Sequence, residues 1–270
     1  MQTRIIVLTA VAAAAVAVAA GCSSSKNSPS SPPASPGAGG ATSSPAISGT
    51  VTVFAAASLK EAFTTLASQF ESDHPGSHVK LSFGASSDLA EQINQGAPAD
   101  VFASASPKNM QQVISAGGAS TSTNFVKNVM EVAVPPSNPA HVTSVTDLAK
   151  SSVKVALCQP QVPCGAVAAE VFTNAKITVK PVTLEPDVKS TLSKVELNEV
   201  DAGMVYVTDV RAAGSKVTGI VIPDNLNAST EYPIAALTKA PHAVGAQAFV
   251  DLVLSPAGEA VLSADGFQKP

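Results

Sequence analysis

Val51-Thr-Val-Phe-Ala-Ala-Ala-Ser58-Leu-Lys-Glu61 joins a short β-branched run, through three alanines, to a serine that opens an amphipathic helix. Leu59, Ala62, Phe63, Leu66 and Phe70 recur at helical spacing and predict one apolar face over residues 58–72. Ser58 and Glu61 match an S-x-x-E capping box, which puts Ser58 at the helix N-terminus. Free N–H groups and the positive end of the peptide dipole suit that end to an oxyanion, and the alanines let a ligand approach the backbone. Taken alone, the pattern reads first as a plain capped helix. Its weight comes from repetition elsewhere in the chain.

Strand and helix signals alternate along the rest. Strands are expected near 51–54, 79–83, 100–104, 129–134, 153–157, 203–207 and 219–222. Helices are expected near 58–72, 87–95, 107–116, 165–175, 188–198 and 242–254. Such alternation implies βαβ units, a largely parallel sheet and an α/β fold, with ligands beyond the carboxyl ends of strands where helix N-termini converge. Phe83-Gly-Ala-Ser86-Ser87 runs from a strand into a helix with Ser86 or Ser87 as its cap. Gln161-Val-Pro-Cys164-Gly165 enters another helix through small residues and leaves backbone N–H groups open. Asp187 is the expected cap of a third, with the N–H of Val188 on offer. Gly203-Met-Val-Tyr206 ends a strand in one of the chain's two tyrosines. On its own, Tyr206 reads as a strand residue whose hydroxyl is satisfied nearby.

At the N-terminus, Arg4 precedes an apolar run from Ile5 to Ala20 that stops at Gly21-Cys22, the pattern of a secretory signal over residues 1–21. Cys22 after Ala19-Ala20-Gly21 resembles the bacterial lipobox, whose cysteine is lipidated. An extracytoplasmic protein held to the cell membrane by a lipid anchor is therefore expected. Residues 22–49 form the expected tether, because a Ser/Pro/Gly/Ala-rich segment buries too little apolar surface to offset its ordering entropy. The remaining residues, about 220 from Thr50 onward, suffice for one large domain or two lobes. The chain is 45% hydrophobic but only 4% aromatic, so its core should be mainly Ala, Val, Leu and Ile. A net charge of −4, with no basic stripe and no aromatic platform, argues against nucleic acid. With Cys22 set aside, Cys158 and Cys164 read first as a short-loop disulfide, or else as free thiols. His74 and His78 flank Pro75-Gly76, which breaks any helix that could bring both to a metal.

Val53-Phe-Ala-Ala-Ala-Ser58-Leu, Gly96-Ala-Pro-Ala-Asp100-Val-Phe, Val162-Pro-Cys-Gly165 and Met204-Val-Tyr206 occur in that order and at fitting separations. Together they resemble the substrate-binding protein of bacterial molybdate ABC importers, over essentially all of residues 50–268. The resemblance implies a type II periplasmic-binding-protein fold: two α/β lobes, a ligand cleft between them and two crossing segments. Lobe 1 would be 50–133 plus 232–270 and lobe 2 would be 134–231, with crossings near Val132–Pro136 and Glu231–Pro233. It also implies oxyanion contacts from the Ser58 hydroxyl and backbone, Ser86, the N–H groups of Cys164 and Val188, and the Tyr206 hydroxyl. Asp100-Val-Phe would be structural. Cys164 stands where a small residue such as alanine is usual in the family, a change that a backbone contact tolerates.

The protein so implied is a monomeric receptor with no cofactor, no catalytic residue and no metal ligand beyond the molybdate contacts. It would deliver molybdate or tungstate to a membrane permease driven by an ATPase. A donor-only cavity should reject phosphate, whose retained proton needs an acceptor. Sulfate could be excluded only by cavity size, so a receptor of the same fold for sulfate or another oxyanion is the alternative. An enzyme with Ser58 or Ser86 as nucleophile is disfavoured by the lack of G-x-S-x-G and of a histidine near either serine in sequence.

Overall fold

A computed structural model describes residues 47–270, so the expected signal segment, Cys22 and nearly all of the expected tether lie outside the described residues. The elements run β1 (Gly49–Ala56), α1 (Lys60–Asp73), β2 (Ser77–Gly84), α2 (Ser86–Asn94), β3 (Val101–Ala103), α3 (Pro107–Ser115) and β4 (Thr123–Val134). Then come β5 (Val155–Cys158), α4 (Pro163–Ala175), β6 (Thr183–Glu185), α5 (Val188–Glu196), β7 (Ala202–Tyr206), α6 (Val207–Ala213) and β8 (Thr218–Val221). Last are β9 (Ser229–Ala236), α7 (Ala243–Leu254) and α8 (Pro256–Ala264). The folded body starts before Thr50: the Gly49 N–H donates to the Gly76 carbonyl at 3.1 Å, and Ile47 packs on the core around α1.

The strands order as β2-β1-β3-β9-β4-β7-β5-β6, with β8 also on β4. Pairings of β1 with β2 and β3, and of β5 with β6 and β7, are parallel, as βαβ units require. Those involving β4 and β9 are antiparallel, so the sheet is less parallel than the alternation implied. The reason is that β4 is long enough to serve both halves. It pairs with β9 from Thr123 to Val129 and with β7 and β8 from Met130 onward. The change of partner therefore falls ahead of the Val132–Pro136 crossing expected from sequence. β9 was hidden by Pro233, which cannot donate to a ladder. Pro233 is tolerated opposite Asn124, where the β4 register slips before Val126.

Two large cores flank this junction. One surrounds α1, where Leu59, Ala62, Phe63, Leu66 and Phe70 are all buried as their spacing requires. It also gathers most of the chain's few aromatics: Phe63 and Phe70 meet Phe249 edge-on at 5.8 and 5.6 Å. The other, around β4, β5, β7, α4 and α5, is almost wholly aliphatic, built on residues such as Val132, Val155, Val171, Leu192 and Val205. A smaller core of Phe54, Leu89, Phe102 and Met110 seals α2 and α3. Helices α6 and α8 and strands β6 and β9 were not read from sequence. For α8 the signal was present: Ser255 accepts from the Gly258 N–H at 3.1 Å, and Pro256 occupies the first helical position.

Asp100 ties the first half together. Its buried carboxylate accepts from the backbone N–H groups of Thr52 and His242, both at 2.7 Å, linking β1 to the entry of α7. Asp100→Ala strands both donors and should cost about 2–4 kcal/mol in urea denaturation, while Asp100→Asn, which keeps one acceptor, should cost less.

Candidate functional site

Ser58, Ser86, Cys164, Val188 and Tyr206 line one pocket, whose wall is completed by Ala56, Ala57, Gly84, Ala85, Ala105 and Pro163. Each stands beyond the carboxyl end of a strand: Ser58 after β1, Ser86 after β2, Cys164 after β5, Val188 after β6, and Tyr206 as the last residue of β7. The two halves of the fold thus contribute opposite walls. No charged side chain lines the pocket. It leaves about 20 Å³ for the centre of a water-sized body. Adding a water radius of about 1.4 Å around that volume gives room for a body about 3 Å in radius, one compact polyatomic ion. Larger grooves exist, such as the 560 Å³ one between α2, α3 and the Pro160–Ala166 turn, but none gathers these donors.

The local structure corrects the reading of Ser58. It lies inside a 3-10 turn, Ala57–Leu59, whose N-cap is Ala56, and makes no capping bond. Its buried hydroxyl instead meets the Tyr232 hydroxyl at 2.8 Å, and Glu61 turns outward to Lys189. Both members of the S-x-x-E pattern are drawn off by partners more than a hundred residues away, so the capping box does not form. Ser86 and Ser87 do not cap α2 either, since Ala85 occupies that position. The Ser86 hydroxyl oxygen, 1% exposed, accepts from the Ala105 N–H at 2.8 Å, whereas Ser87 turns outward to Asp88. Asp187 does cap α5, accepting from the Ser190 N–H at 2.9 Å.

These bonds orient protons. Tyr232 accepts from the Asn128 amide at 3.4 Å and shares a hydrogen bond with Ser58 in which either hydroxyl can donate. Burial pushes the Tyr232 phenol up, so it stays protonated and able to donate. The Ser86 oxygen already accepts from the Ala105 N–H, so its hydroxyl proton is left for the pocket. Tyr206 was expected to have its hydroxyl satisfied nearby. It does not: the residue is 1% exposed and its oxygen has no partner. Burial first, then the neighbouring Tyr232 and Asp209, raises the Tyr206 phenol well above its usual value, which again leaves a donor. The N–H groups of Cys164 and Val188, in the first turns of α4 and α5, have no intrahelical acceptor.

Two supporting residues escaped sequence reading. Tyr232 sits beside Pro233 in the unread strand β9, and Asn128 lies in the part of β4 ahead of the expected strand; both are buried. Cys158 and Cys164 are joined by a disulfide, with Cα atoms 5.8 Å apart, that ties the start of α4 to the end of β5. Gly165 follows because a Cβ there would run into the Gln159 carbonyl.

A cleft between two halves of an α/β sheet, lined by neutral donors from strand ends, is the site of a binding protein. The chain belongs to the family of bacterial extracellular solute-binding proteins, which it matches over residues 51–268, and it is a receptor and not an enzyme. Among its relatives, the molybdate-binding protein ModA of Mycobacterium tuberculosis is 40% identical over 221 residues, covering 82% of this chain and 85% of that protein. The periplasmic molybdate-binding protein of Azotobacter vinelandii has the same fold, with a TM-score of 0.72 at 22% identity, over 82% of this chain and 99% of that one. So does the sulfate-binding protein SubI of Mycobacterium tuberculosis, with a TM-score of 0.70 at 17% identity, over 82% and 86%.

Because the Tyr206 hydroxyl is buried without a partner, Tyr206→Phe should cost no ligand-free stability. Thermal melts of the two proteins in anion-free buffer check this, and a lower melting temperature for the variant would reveal a partner for the hydroxyl.

Proposed function

We propose that this protein is an extracytoplasmic receptor that binds molybdate, and tungstate equally well, through Ser58, Ser86, Tyr206 and the N–H groups of Cys164 and Val188, and delivers it to an ABC importer. The single observation that carries the reading is the convergence of these five neutral donors on one ion-sized pocket with no charged lining. The 40% identity to a molybdate-binding relative supports the choice of anion. A dianion held this way relies on charge-assisted hydrogen bonds of about 1.5–3 kcal/mol each. Two lobes, 50–133 plus 232–270 and 134–231, joined by crossings near Val132–Pro136 and Glu231–Pro233, would close on the ion. The partners are a permease with its ATPase, and the membrane is reached through a lipid on Cys22 and the Ser/Pro-rich tether. The receptor acts as a monomer.

Sulfate is the second reading, because a sulfate-binding protein shares the fold and the fold alone does not choose between two tetrahedral dianions. Titration calorimetry with molybdate, tungstate, sulfate and phosphate tests both. Tight one-to-one binding of molybdate and tungstate with phosphate silent is the expected result. Strongest binding of sulfate would overturn the choice of anion and leave the site standing. Tyr206→Phe should weaken molybdate binding by about 10- to 150-fold, the equivalent of one charge-assisted bond. Reduction of the Cys158–Cys164 disulfide should weaken it further, by freeing the turn that presents the Cys164 N–H.

A further inference from the structure

Glu61 lies on α1, whose apolar face belongs to one large core, while Lys189 lies on α5, whose apolar face belongs to the other. The Lys189 ammonium is 2.8 Å from the Glu61 carboxylate and 3.1 Å from that of Asp209 on α6. Every other ion pair among the described residues joins groups on one side of the cleft. The same three residues are wired to the pocket. Lys189 follows Val188 in the first turn of α5, Asp209 accepts from the Tyr206 N–H at 3.1 Å, and Glu61 stands one turn beyond Ser58.

The cluster cannot act by attracting the anion, because two carboxylates face one ammonium and the surplus is negative. Its contribution is therefore geometric. The Asp209 side chain is fully buried and Lys189 is 21% exposed, so this pair is screened little by solvent, whereas Glu61 at 43% exposure is the end that can let go. Burial works against the Lys189 charge, but Asp209 and Glu61 outweigh it and hold the ammonium above its usual range. The cation thus stays on Asp209, ready to meet Glu61 when α1 and α5 approach. A contact made in only one of two conformations biases the equilibrium toward that conformation.

We infer that Glu61, Lys189 and Asp209 form a latch across the cleft that positions Val188 and Tyr206 and holds the lobes closed, and so sets how long the anion stays bound. This rests on the receptor reading above. Glu61 and Lys189 are positioning residues with no contact to the ligand.

The test compares wild type with Glu61→Gln, a change at a half-exposed site that leaves the fold intact. Rates of molybdate association and dissociation are measured, together with melting temperatures with and without molybdate. The expected result is dissociation faster by about threefold to tenfold with association unchanged, since weakened complexes of this kind lose residence time first. The melting temperature should fall more in molybdate than in its absence, a split that a residue with a purely structural role would not produce. Lys189→Met should act in the same direction and more strongly, and adding Glu61→Gln to it should change nothing further. An unchanged dissociation rate in Glu61→Gln overturns the latch. If wild type binds none of molybdate, tungstate and sulfate, the receptor reading fails, and the latch is then judged by small-angle scattering of the ligand-free proteins. Expansion of Glu61→Gln relative to wild type supports it, and identical profiles overturn it.

Discussion

The hydrogen bond between Ser58 and Tyr232 is the constraint on which the site turns, because it pins a buried pocket hydroxyl to a strand more than a hundred residues away in sequence. Asn128 donates to Tyr232, and Tyr232 is hydrogen-bonded to Ser58, so the pocket hydroxyl is held by a buried chain of polar groups. The Ala105 N–H does the same for Ser86. Neutral residues are thereby held in place without any cation in the wall. The Ser58–Tyr232 bond also ties the exit of β1 to β9.

That framework explains why supporting residues lie so far from the pocket in sequence. β4 serves both halves by changing partners partway along, and β9 lies between β3 and the first part of β4. Side chains on them, Asn128 and Tyr232 among them, sit at the junction beneath the pocket and are held from both sides. The disulfide and the close packing of Gly165 stiffen the start of α4 in the same way, which lowers the entropy lost when an ion is gripped.

Local signals were legible wherever a residue's role is decided within a few positions of it. The apolar stripe of α1, the Asp187 cap of α5 and the small-residue turns that lead from strands into α2 and α4 all follow from spacing and steric room. The five residues that the resemblance implied as contacts all sit at such transitions and all line one pocket. Ser58 is instructive because its position was read correctly and its bond was not. S-x-x-E describes a local option, and a buried phenol together with a lysine across the cleft offered both side chains better partners. The low aromatic content was likewise misleading for one core, since six of the few aromatic rings were concentrated there.

By itself the sequence determined the α/β class, the family and the starts of α4 and α5 that present N–H groups, since each depends on short-range periodicity or on motifs kept in order along the chain. Only the tertiary structure decided the antiparallel crossing strands, the partners of Ser58 and Glu61, and the orphaned hydroxyl of Tyr206. Those outcomes depend on which groups, separated by more than a hundred residues, compete for the same buried proton or charge. Such competition is resolved by distance and burial in three dimensions, and a linear pattern carries neither.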